Sequence, residues 1–158
     1  MITVDGTSGS GKGTISHCLA EKLGWHHLDS GALYRLLAHA ALQQNLPLDD
    51  EAALVQLAGC LSESYRLPTR EHPGIMLDGE DVGKALRTET WAAAASRAAA
   101  LPAVRQALMS WLRHYSQSPG QLADGRDMGS TVFTEAPRSR YRTARPELGA
   151  DRGELEGT

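Results

Sequence analysis

The chain reads Gly6-Thr7-Ser8-Gly9-Ser10-Gly11-Lys12-Gly13-Thr14 directly behind the short apolar stretch Ile2–Val4. Gly6 and Gly11 allow backbone angles that turn several N–H groups toward one anion. The helix predicted to follow points its positive dipole end at the same place, and Lys12 adds a mobile positive charge. The whole stretch is therefore predicted to hold the phosphates of a nucleoside triphosphate.

The segments behind this loop predict an alternation of helix and strand. Apolar residues recur at helical spacing and would form one face of a helix that ends at Gly24: Ile15, Cys18, Leu19 and Leu23. A short extended run then ends at Asp29. A strand, a helix and a second strand in this order predict a parallel sheet flanked by helices. The predicted class is α/β, of the three-layer type found in P-loop nucleoside triphosphate-binding proteins.

Between Ser64 and Val82 the pattern changes, because prolines and glycines surround two short alternating runs. The second run, Ile75–Leu77, is followed by the turn pair Asp78–Gly79, which is typical of a two-residue hairpin. The segment of about residues 62–90 is therefore predicted to be a small antiparallel sheet, inserted into the α/β chain as a substrate-binding subdomain.

Composition limits the classes of protein. The chain has 158 residues, of which 41% are hydrophobic, and this is enough for one domain with its own core. Its formal net charge is −3, so it has no excess of basic residues for binding nucleic acid. The sequence contains no recognisable signal peptide or membrane span, which makes the cytoplasm the expected location. Cys18 and Cys60 are predicted to be buried and reduced. None of the six histidines is predicted to form a catalytic or metal-binding pair.

One position departs from the common phosphate-loop pattern. Gly13 stands where serine or threonine usually supplies a hydroxyl to Mg²⁺, and Thr14 follows one place later. This variant resembles the loop of nucleoside monophosphate kinases. Asp124 ends a predicted strand, where it is predicted to hold Mg²⁺ through water, with Thr14 as a further hydroxyl for phosphate or metal. The alternative is that Asp124 only caps the turn at Gly125.

Five stretches together resemble the bacterial cytidylate kinase family over about the first 137 residues. They are Asp5–Thr14, Leu28–Arg35, Leu77–Val82, Leu86–Thr88 and Ala123–Gly129. The resemblance implies a P-loop nucleoside monophosphate kinase that transfers the γ-phosphoryl group of ATP to CMP or dCMP. It also implies Mg²⁺ as a cofactor, a monomer, and no nucleic-acid or membrane partner.

The resemblance also assigns roles to individual residues. The predicted catalytic residues are Lys12, Arg35 and Arg126, and the two arginines would clamp the acceptor phosphate because each guanidinium can bind two oxygens. A surface ion pair is the alternative for either arginine. The predicted acceptor-binding residues are Ser30, Tyr34, Arg35, Arg87, Ser96, Arg105, Arg126 and Asp127. Ser96 and Asp127 would accept hydrogen bonds from the cytosine amine, and Arg105 would donate to its ring nitrogen and carbonyl.

The last segment, residues 138–158, contains no Val, Ile, Phe or Met and has neither a helical nor a strand period. It is predicted to be a disordered tail, with residues 1–137 forming an incomplete kinase core that lacks the C-terminal part of the fold. Turnover of this chain is expected to be weak or absent for that reason. Two alternatives stay open: another small P-loop kinase, such as an adenylate or shikimate kinase, and a non-catalytic nucleotide-binding remnant.

Overall fold

The computed structural model describes residues 1–7, 9–66, 75–114, 118–136 and 138–142. The chain forms two compact units, of which the first joins Met1–Ser30 to Tyr115–Thr158 and the second is Gly31–His114. In chain order the elements are β1 (Ile2–Gly6), α1 (Lys12–Leu23), β2 (His26–Asp29), α2 (Ser30–Gln43), α3 (Glu51–Ser64), β3 (Tyr65–Arg66), β4 (Met76–Leu77), β5 (Glu80–Asp81), a 3-10 turn (Ala85–Arg87), α4 (Glu89–Ala99), α5 (Pro102–His114), β6 (Gln121–Gly125), a wide helical turn (Met128–Val132) and β7 (Arg138–Arg142).

The first unit contains a parallel sheet of four strands in the order β2-β6-β1-β7. β1 lies beside β6 with Ile2 opposite Leu122, and β2 lies on the other side of β6 with Asp29 opposite Asp124. Parallel strands need a crossover connection, and α1 supplies one between β1 and β2. The predicted α/β class and its β-α-β start are therefore confirmed.

Small side chains set the packing of α1 on this sheet. Ser16 and Ala20 are the buried residues of the helix, and Ala20 packs against Leu122 in the core of the unit. Of the predicted apolar face, Leu19 packs against that core, whereas Ile15 is 41% and Leu23 43% exposed. The predicted helix is confirmed, but its apolar stripe marks the buried side only in part, because the small residues Ser16 and Ala20 allow a close approach to the strands.

Both thiols are exposed. Cys18 lies on α1 and Cys60 on α3, and each is a free cysteine with an exposed side chain. The prediction of buried thiols is wrong because other residues occupy the buried sides of these helices. In α3 the buried positions are Leu54, Leu57, Ala58 and Leu61.

The strand β7 differs from the prediction. It pairs in parallel with β1 along its whole length, from Arg138 opposite Ile2 to Arg142 opposite Gly6. The sequence predicts no strand here, because the segment has no apolar alternation. The pairing depends on backbone N–H and C=O groups, which form the ladder whatever side chains they carry. The rest of the predicted tail, residues 143–158, lies outside the described residues.

The second unit is mostly helical. α3 packs against α5, and α4 packs against α5 and against the 3-10 turn. Its fully buried leucines are Leu33, Leu36, Leu37, Leu54, Leu86, Leu108 and Leu112. The starts of two helices have ordinary causes: Asp50 Oδ1 accepts a hydrogen bond from the Ala53 N–H at 3.0 Å, and Pro102 is the first residue of α5. Within the described ranges, no helix has the length and apolar character needed to cross a membrane.

A small antiparallel sheet in the order β3-β4-β5 belongs to the same unit. β4 and β5 form a hairpin, in which Leu77 lies opposite Glu80. The two residues between them, Asp78 and Gly79, have φ of 50° and 86°, as this kind of two-residue turn requires. The predicted antiparallel sheet is therefore confirmed, although residues 67–74 lie outside the described part of the chain.

A glycine just before β6 has no room for a side chain. A Cβ added to Gly120 would overlap the indole ring of Trp25. We expect Gly120→Ala to lower the free energy of unfolding by about 1–3 kcal/mol, since the overpacked site must displace a rigid ring. Thermal unfolding measures this, with Gly59→Ala as the control, because nothing lies within 4 Å of a Cβ at Gly59. Equal melting temperatures for the wild type and Gly120→Ala would contradict the prediction.

Candidate functional site

The glycine-rich loop joins β1 to α1 in the first unit. Gly9 and Gly11 have φ of 70° and 74°, in the left-handed region that a residue with a Cβ adopts only at a cost. The Ser10 N–H donates to the Thr7 carbonyl at 3.4 Å, which closes a tight turn. Gly6 is the buried last residue of β1 and has no positive φ, so Gly9 takes the turning role that the sequence predicts for Gly6. Among the described residues of the loop, Gly9 and Gly11 are left-handed, which gives the turned backbone that the predicted phosphate binding would require.

Lys12 is the first residue of α1 and folds back over the loop. Its Nζ donates a hydrogen bond to the Thr7 carbonyl at 3.3 Å. Gly11, which precedes the helix, supplies no side-chain cap, and the first turn contains no acidic residue. The positive end of the helix dipole and the Lys12 ammonium group therefore favour an anion at this place. Ser8, also predicted to line the loop, lies outside the described residues.

Asp124 lies at the carboxyl end of β6, as predicted, and is 3% exposed. Its register partner on β2 is Asp29, so two acidic residues lie side by side at this end of the sheet. Side chains alternate between the faces of a strand, and Leu122, two residues earlier, packs on the α1 side. Asp124 and Asp29 therefore lie on the α1 face, where Lys12 is close enough to act on Asp124 electrostatically.

His27 is a hydrogen-bonding partner of Asp124. Its Nε2 lies 2.6 Å from Oδ2 of the carboxylate. When Asp124 is ionised it can only accept, and Nε2 is then the donor. The side chain of His27 is 22% exposed and that of Asp124 is 4% exposed. No histidine is predicted from the sequence to have a role of this kind. The pair was missed because its members are 97 residues apart and meet only through strand pairing.

Burial raises the pKa of the Asp124 carboxyl above its ordinary value. The hydrogen bond from His27 opposes this rise in pKa, the nearby charge of Asp29 adds to it, and the positive charges of His27 and Lys12 lower it. The net direction is upward, so folding disfavours the charged form of Asp124. A carboxylate held in this way gains strongly from a cation placed beside it.

Asp5 holds the loop that follows β6. Its side chain is buried, and its carboxylate accepts hydrogen bonds from the Met128 N–H at 2.6 Å and the Gly129 N–H at 2.9 Å. These bonds fix the backbone immediately after the predicted ligands Arg126 and Asp127. The sequence predicts no role for Asp5, although an acid at the end of an apolar strand, directly before the glycine-rich loop, is a signal for one.

Gly125 allows β6 to pass close to Ser30. A Cβ at Gly125 would lie 2.5 Å from Ser30 Oγ and 2.8 Å from Met128 Cγ, so there is no room for a side chain at this position. Ser30, one of the predicted acceptor-binding residues, thus lies beside the segment that carries Arg126 and Asp127. The Arg126 side chain is exposed, and that of Asp127 is half-buried.

The other predicted acceptor-binding residues lie in the second unit. They are Tyr34 and Arg35, half-buried on α2; Arg87, exposed on the 3-10 turn; Ser96, exposed on α4; and Arg105, half-buried on α5. The start of α5 is held from α3, because Glu51 Oε1 accepts a hydrogen bond from the Ala103 N–H at 2.7 Å. That these residues bind one acceptor together stays a prediction.

The metal expected from the sequence resemblance is Mg²⁺. Among the residues that the structure describes, no group of three or more His, Cys, Asp or Glu side chains could hold a metal ion. Proteins commonly bind Mg²⁺ through one or two carboxylates together with substrate phosphates and water, rather than in an all-protein cage. The buried Asp124, with Asp29 beside it, fits a site of that kind. Thr14 is exposed on α1.

Three features define a P-loop nucleotide-binding protein. They are a glycine-rich loop between the first strand and the first helix of a parallel sheet, a lysine at the start of that helix, and a buried acid on the adjacent strand. Comparison with known families narrows this class. The cytidylate kinase family model matches residues 2–156, and the chain belongs to the cytidylate kinase family. The resemblance found in the sequence extends to about residue 137, whereas the match to the family model extends to residue 156.

The chain is similar to curated proteins named cytidylate kinase. It is 50% identical to that of Aeromonas salmonicida over 152 residues, which are 96% of this chain and 66% of the relative. It is 54% identical to that of Aeromonas hydrophila over 136 residues, which are 86% of this chain and 59% of the relative. It is 51% identical to that of Azotobacter vinelandii over 153 residues, 96% of this chain and 67% of the relative. The chain thus spans about two thirds of the length of these relatives.

Proposed function

We propose that this chain is a cytidylate kinase, which transfers the γ-phosphoryl group of ATP to CMP or dCMP. The observation that carries the proposal is the presence of three features in the first unit: the glycine loop with left-handed Gly9 and Gly11, Lys12 at the start of α1, and the buried Asp124. In a chain of the cytidylate kinase family, these features support a site for the triphosphate of ATP.

The loop and Lys12 would act on the donor. When the triphosphate binds, the Lys12 ammonium group leaves the Thr7 carbonyl, to which it now donates at 3.3 Å, and contacts the β and γ oxygens. The N–H groups of the loop and of the first turn of α1 donate to the same phosphates. Charge spreads over the oxygens of the transferring group in the transition state, so donors that are already in place lower the barrier.

Asp124, the acid on β6, would bind Mg²⁺. A divalent cation bound with ATP would neutralise part of the charge of the triphosphate. Asp124 would hold it through water, and the Thr14 hydroxyl would contribute to phosphate or to the same water shell. The raised pKa of Asp124 supports this role, because a buried carboxylate is stabilised by a nearby cation.

The acceptor roles rest on the family resemblance. Arg35 and Arg126 would bind the acceptor phosphate in bidentate fashion, with support from Ser30, Tyr34 and Arg87. Cytosine would be read by Ser96, Arg105 and Asp127, and a pocket of this kind leaves polar groups unpaired when uracil is bound. The hydrogen bonds from Met128 and Gly129 to Asp5 support a fixed backbone for the segment that carries Arg126 and Asp127.

Two measurements on this chain test the proposal. Calorimetry is expected to detect binding of ATP and of CMP, and a coupled assay is expected to show CMP and dCMP as preferred acceptors over UMP and AMP. Because turnover of this chain is expected to be weak or absent, binding is measured separately from catalysis. Preferred phosphorylation of another acceptor would support a different small P-loop kinase. Binding of nucleotide without turnover of any acceptor would support the non-catalytic alternative.

The proposal extends to the setting of the protein. The family resemblance implies a monomer that acts in the cytoplasm and has neither a nucleic-acid nor a membrane partner. Light scattering of the purified chain tests the monomer, and a mass of twice that of one chain would contradict it.

Arg126→Lys is expected to weaken CMP binding about tenfold, which is about 1.4 kcal/mol. Lysine keeps the charge but loses the planar fork that binds two phosphate oxygens at once. Calorimetric titration with CMP measures the loss, and ATP binding is expected to stay unchanged. Arg113→Lys, on the exposed side of α5, is the matched control. If both variants bind CMP as the wild type does, Arg126 is not a ligand of the acceptor.

A further inference from the structure

We infer that His27 is a positioning residue for the metal-dependent step of nucleotide binding. Its Nε2–H donates to Oδ2 of Asp124 at 2.6 Å and so fixes the orientation in which that carboxylate meets the cation of a bound nucleotide. The inference rests on the proposed function, since it requires that Asp124 act on a divalent cation bound with ATP.

The parallel register explains why His27 reaches Asp124. His27 is the register partner of Leu122, and Asp29 is the register partner of Asp124. Side chains two residues apart on a strand share a face, so all of these lie on the α1 face of the sheet. His27 therefore approaches Asp124 diagonally across the two strands. His26 points to the other face, where its Nε2 lies 3.1 Å from the Ser118 carbonyl oxygen.

Asp124 needs a partner of this kind. Its side chain is 4% exposed, so little water is available to orient it, and its register partner on β2 is another acid, Asp29, rather than a hydrogen-bond donor. A hydrogen bond from the half-buried imidazole of His27 to Oδ2 favours one rotamer of this carboxylate. Partners that orient a metal-binding side chain commonly contribute 10–100-fold to metal affinity.

The surroundings of His27 offer a matched control. His17 on α1 meets the His27 ring edge to face, with the ring centroids 5.7 Å apart, and its own Nε2 lies 3.7 Å from Glu21 Oε1. His17 is 62% exposed. A variant at His17 changes the packing around His27 and removes one imidazole from the same surface, but it leaves the bond between His27 and Asp124 in place.

The test uses calorimetric titration of the chain with ATP, once with Mg²⁺ and once with EDTA. The ratio of the two affinities is the metal-dependent gain. His27→Leu is expected to lower this gain about tenfold, whereas ATP binding in EDTA is unchanged. His27→Gln keeps an amide donor near the position of Nε2 and is expected to preserve the gain, as is His17→Leu. Thermal unfolding of each variant accompanies the titrations, and His27→Asn, whose amide is too short to reach, replaces His27→Leu if the latter does not fold.

The outcomes separate the inference from the proposed function. If the wild type shows no metal-dependent gain, the role of Asp124 in the proposed function fails and the inference fails with it. If the wild type shows the gain and His27→Leu retains it, only the inference about His27 is overturned. Loss of ATP binding in EDTA, or an equal loss of gain in His27→Leu and His17→Leu, would also overturn it, because it would indicate a general structural role.

Discussion

Lys12→Met is expected to lower turnover about 10²–10³-fold, the usual effect of removing one preorganised charged donor from a transition state. Methionine keeps most of the length of the side chain and removes the ammonium group. The loop glycines and the start of α1 remain, so the phosphate site keeps its shape and loses its mobile charge. ATP binding is expected to weaken as well, because the charge acts on the bound donor as well as on the transition state.

The structure indicates that this substitution will not unfold the chain. The contact of Lys12 Nζ with the Thr7 carbonyl is 3.3 Å long and exposed, and a bond of this kind contributes little to stability. Lys22→Met is the control, since Lys22 is an exposed lysine in the last turn of the same helix. Coupled-assay turnover and calorimetric binding of ATP are measured for both. A Lys12→Met chain that binds ATP as tightly as Lys22→Met would contradict the proposed donor site.

Features that are local in sequence could be predicted well. The glycine-rich loop is contiguous from Gly6 to Thr14, and its turned backbone depends on conformations that Gly9 and Gly11 permit. The hairpin turn at Asp78–Gly79 is local in the same sense, and the observed φ values are those its residues favour. The end of α1 at Gly24 is also a local feature. Gly24 has φ of 68°, and its N–H donates to carbonyls in the last turn of the helix.

Features that depend on strand pairing could not be predicted. The bond between His27 and Asp124 joins residues 97 apart, and the bond between Asp5 and Met128 joins residues 123 apart. Each requires the register of two parallel strands, which neither composition nor periodicity specifies. The strand β7 was missed for a related reason, because it is held by its backbone and carries no apolar alternation.

Asp124→Asn is expected to remove metal-dependent turnover and to make the fold more stable. Burial is the largest influence on the pKa of Asp124 and raises it, so the charged carboxylate is less favourable in the folded chain than in the unfolded one. Asparagine has nearly the same shape and no charge, and its Oδ1 can still accept the hydrogen bond from His27. Turnover is expected to fall about 10²-fold or more, because the carboxylate no longer acts on the cation.

The gain in stability should depend on pH with a definite sign. Because the pKa of Asp124 is higher in the folded chain, the folded chain keeps this proton over a range of pH in which the unfolded chain has lost it. The contribution of Asp124 to stability is therefore fully present below the ordinary aspartate pKa and is lost as pH rises through the raised pKa. Asp124→Asn does not lose stability in this way. The difference in free energy of unfolding between the variant and the wild type is therefore absent in acid and is largest above the raised pKa.

Thermal unfolding across pH measures this advantage, and each kcal/mol of it raises the melting temperature by roughly 2–4 °C in a chain of this size. Asp49→Asn is the control, because Asp49 is exposed and its substitution is expected to change stability by less than about 0.5 kcal/mol at any pH. A variant at Asp124 that is less stable than the wild type at neutral pH would mean that the hydrogen bond from His27 and the charge of Lys12 outweigh burial. A variant that is more stable and inactive would show that the chain keeps a buried carboxylate at a cost to its own stability, as expected of a group retained for binding a cation.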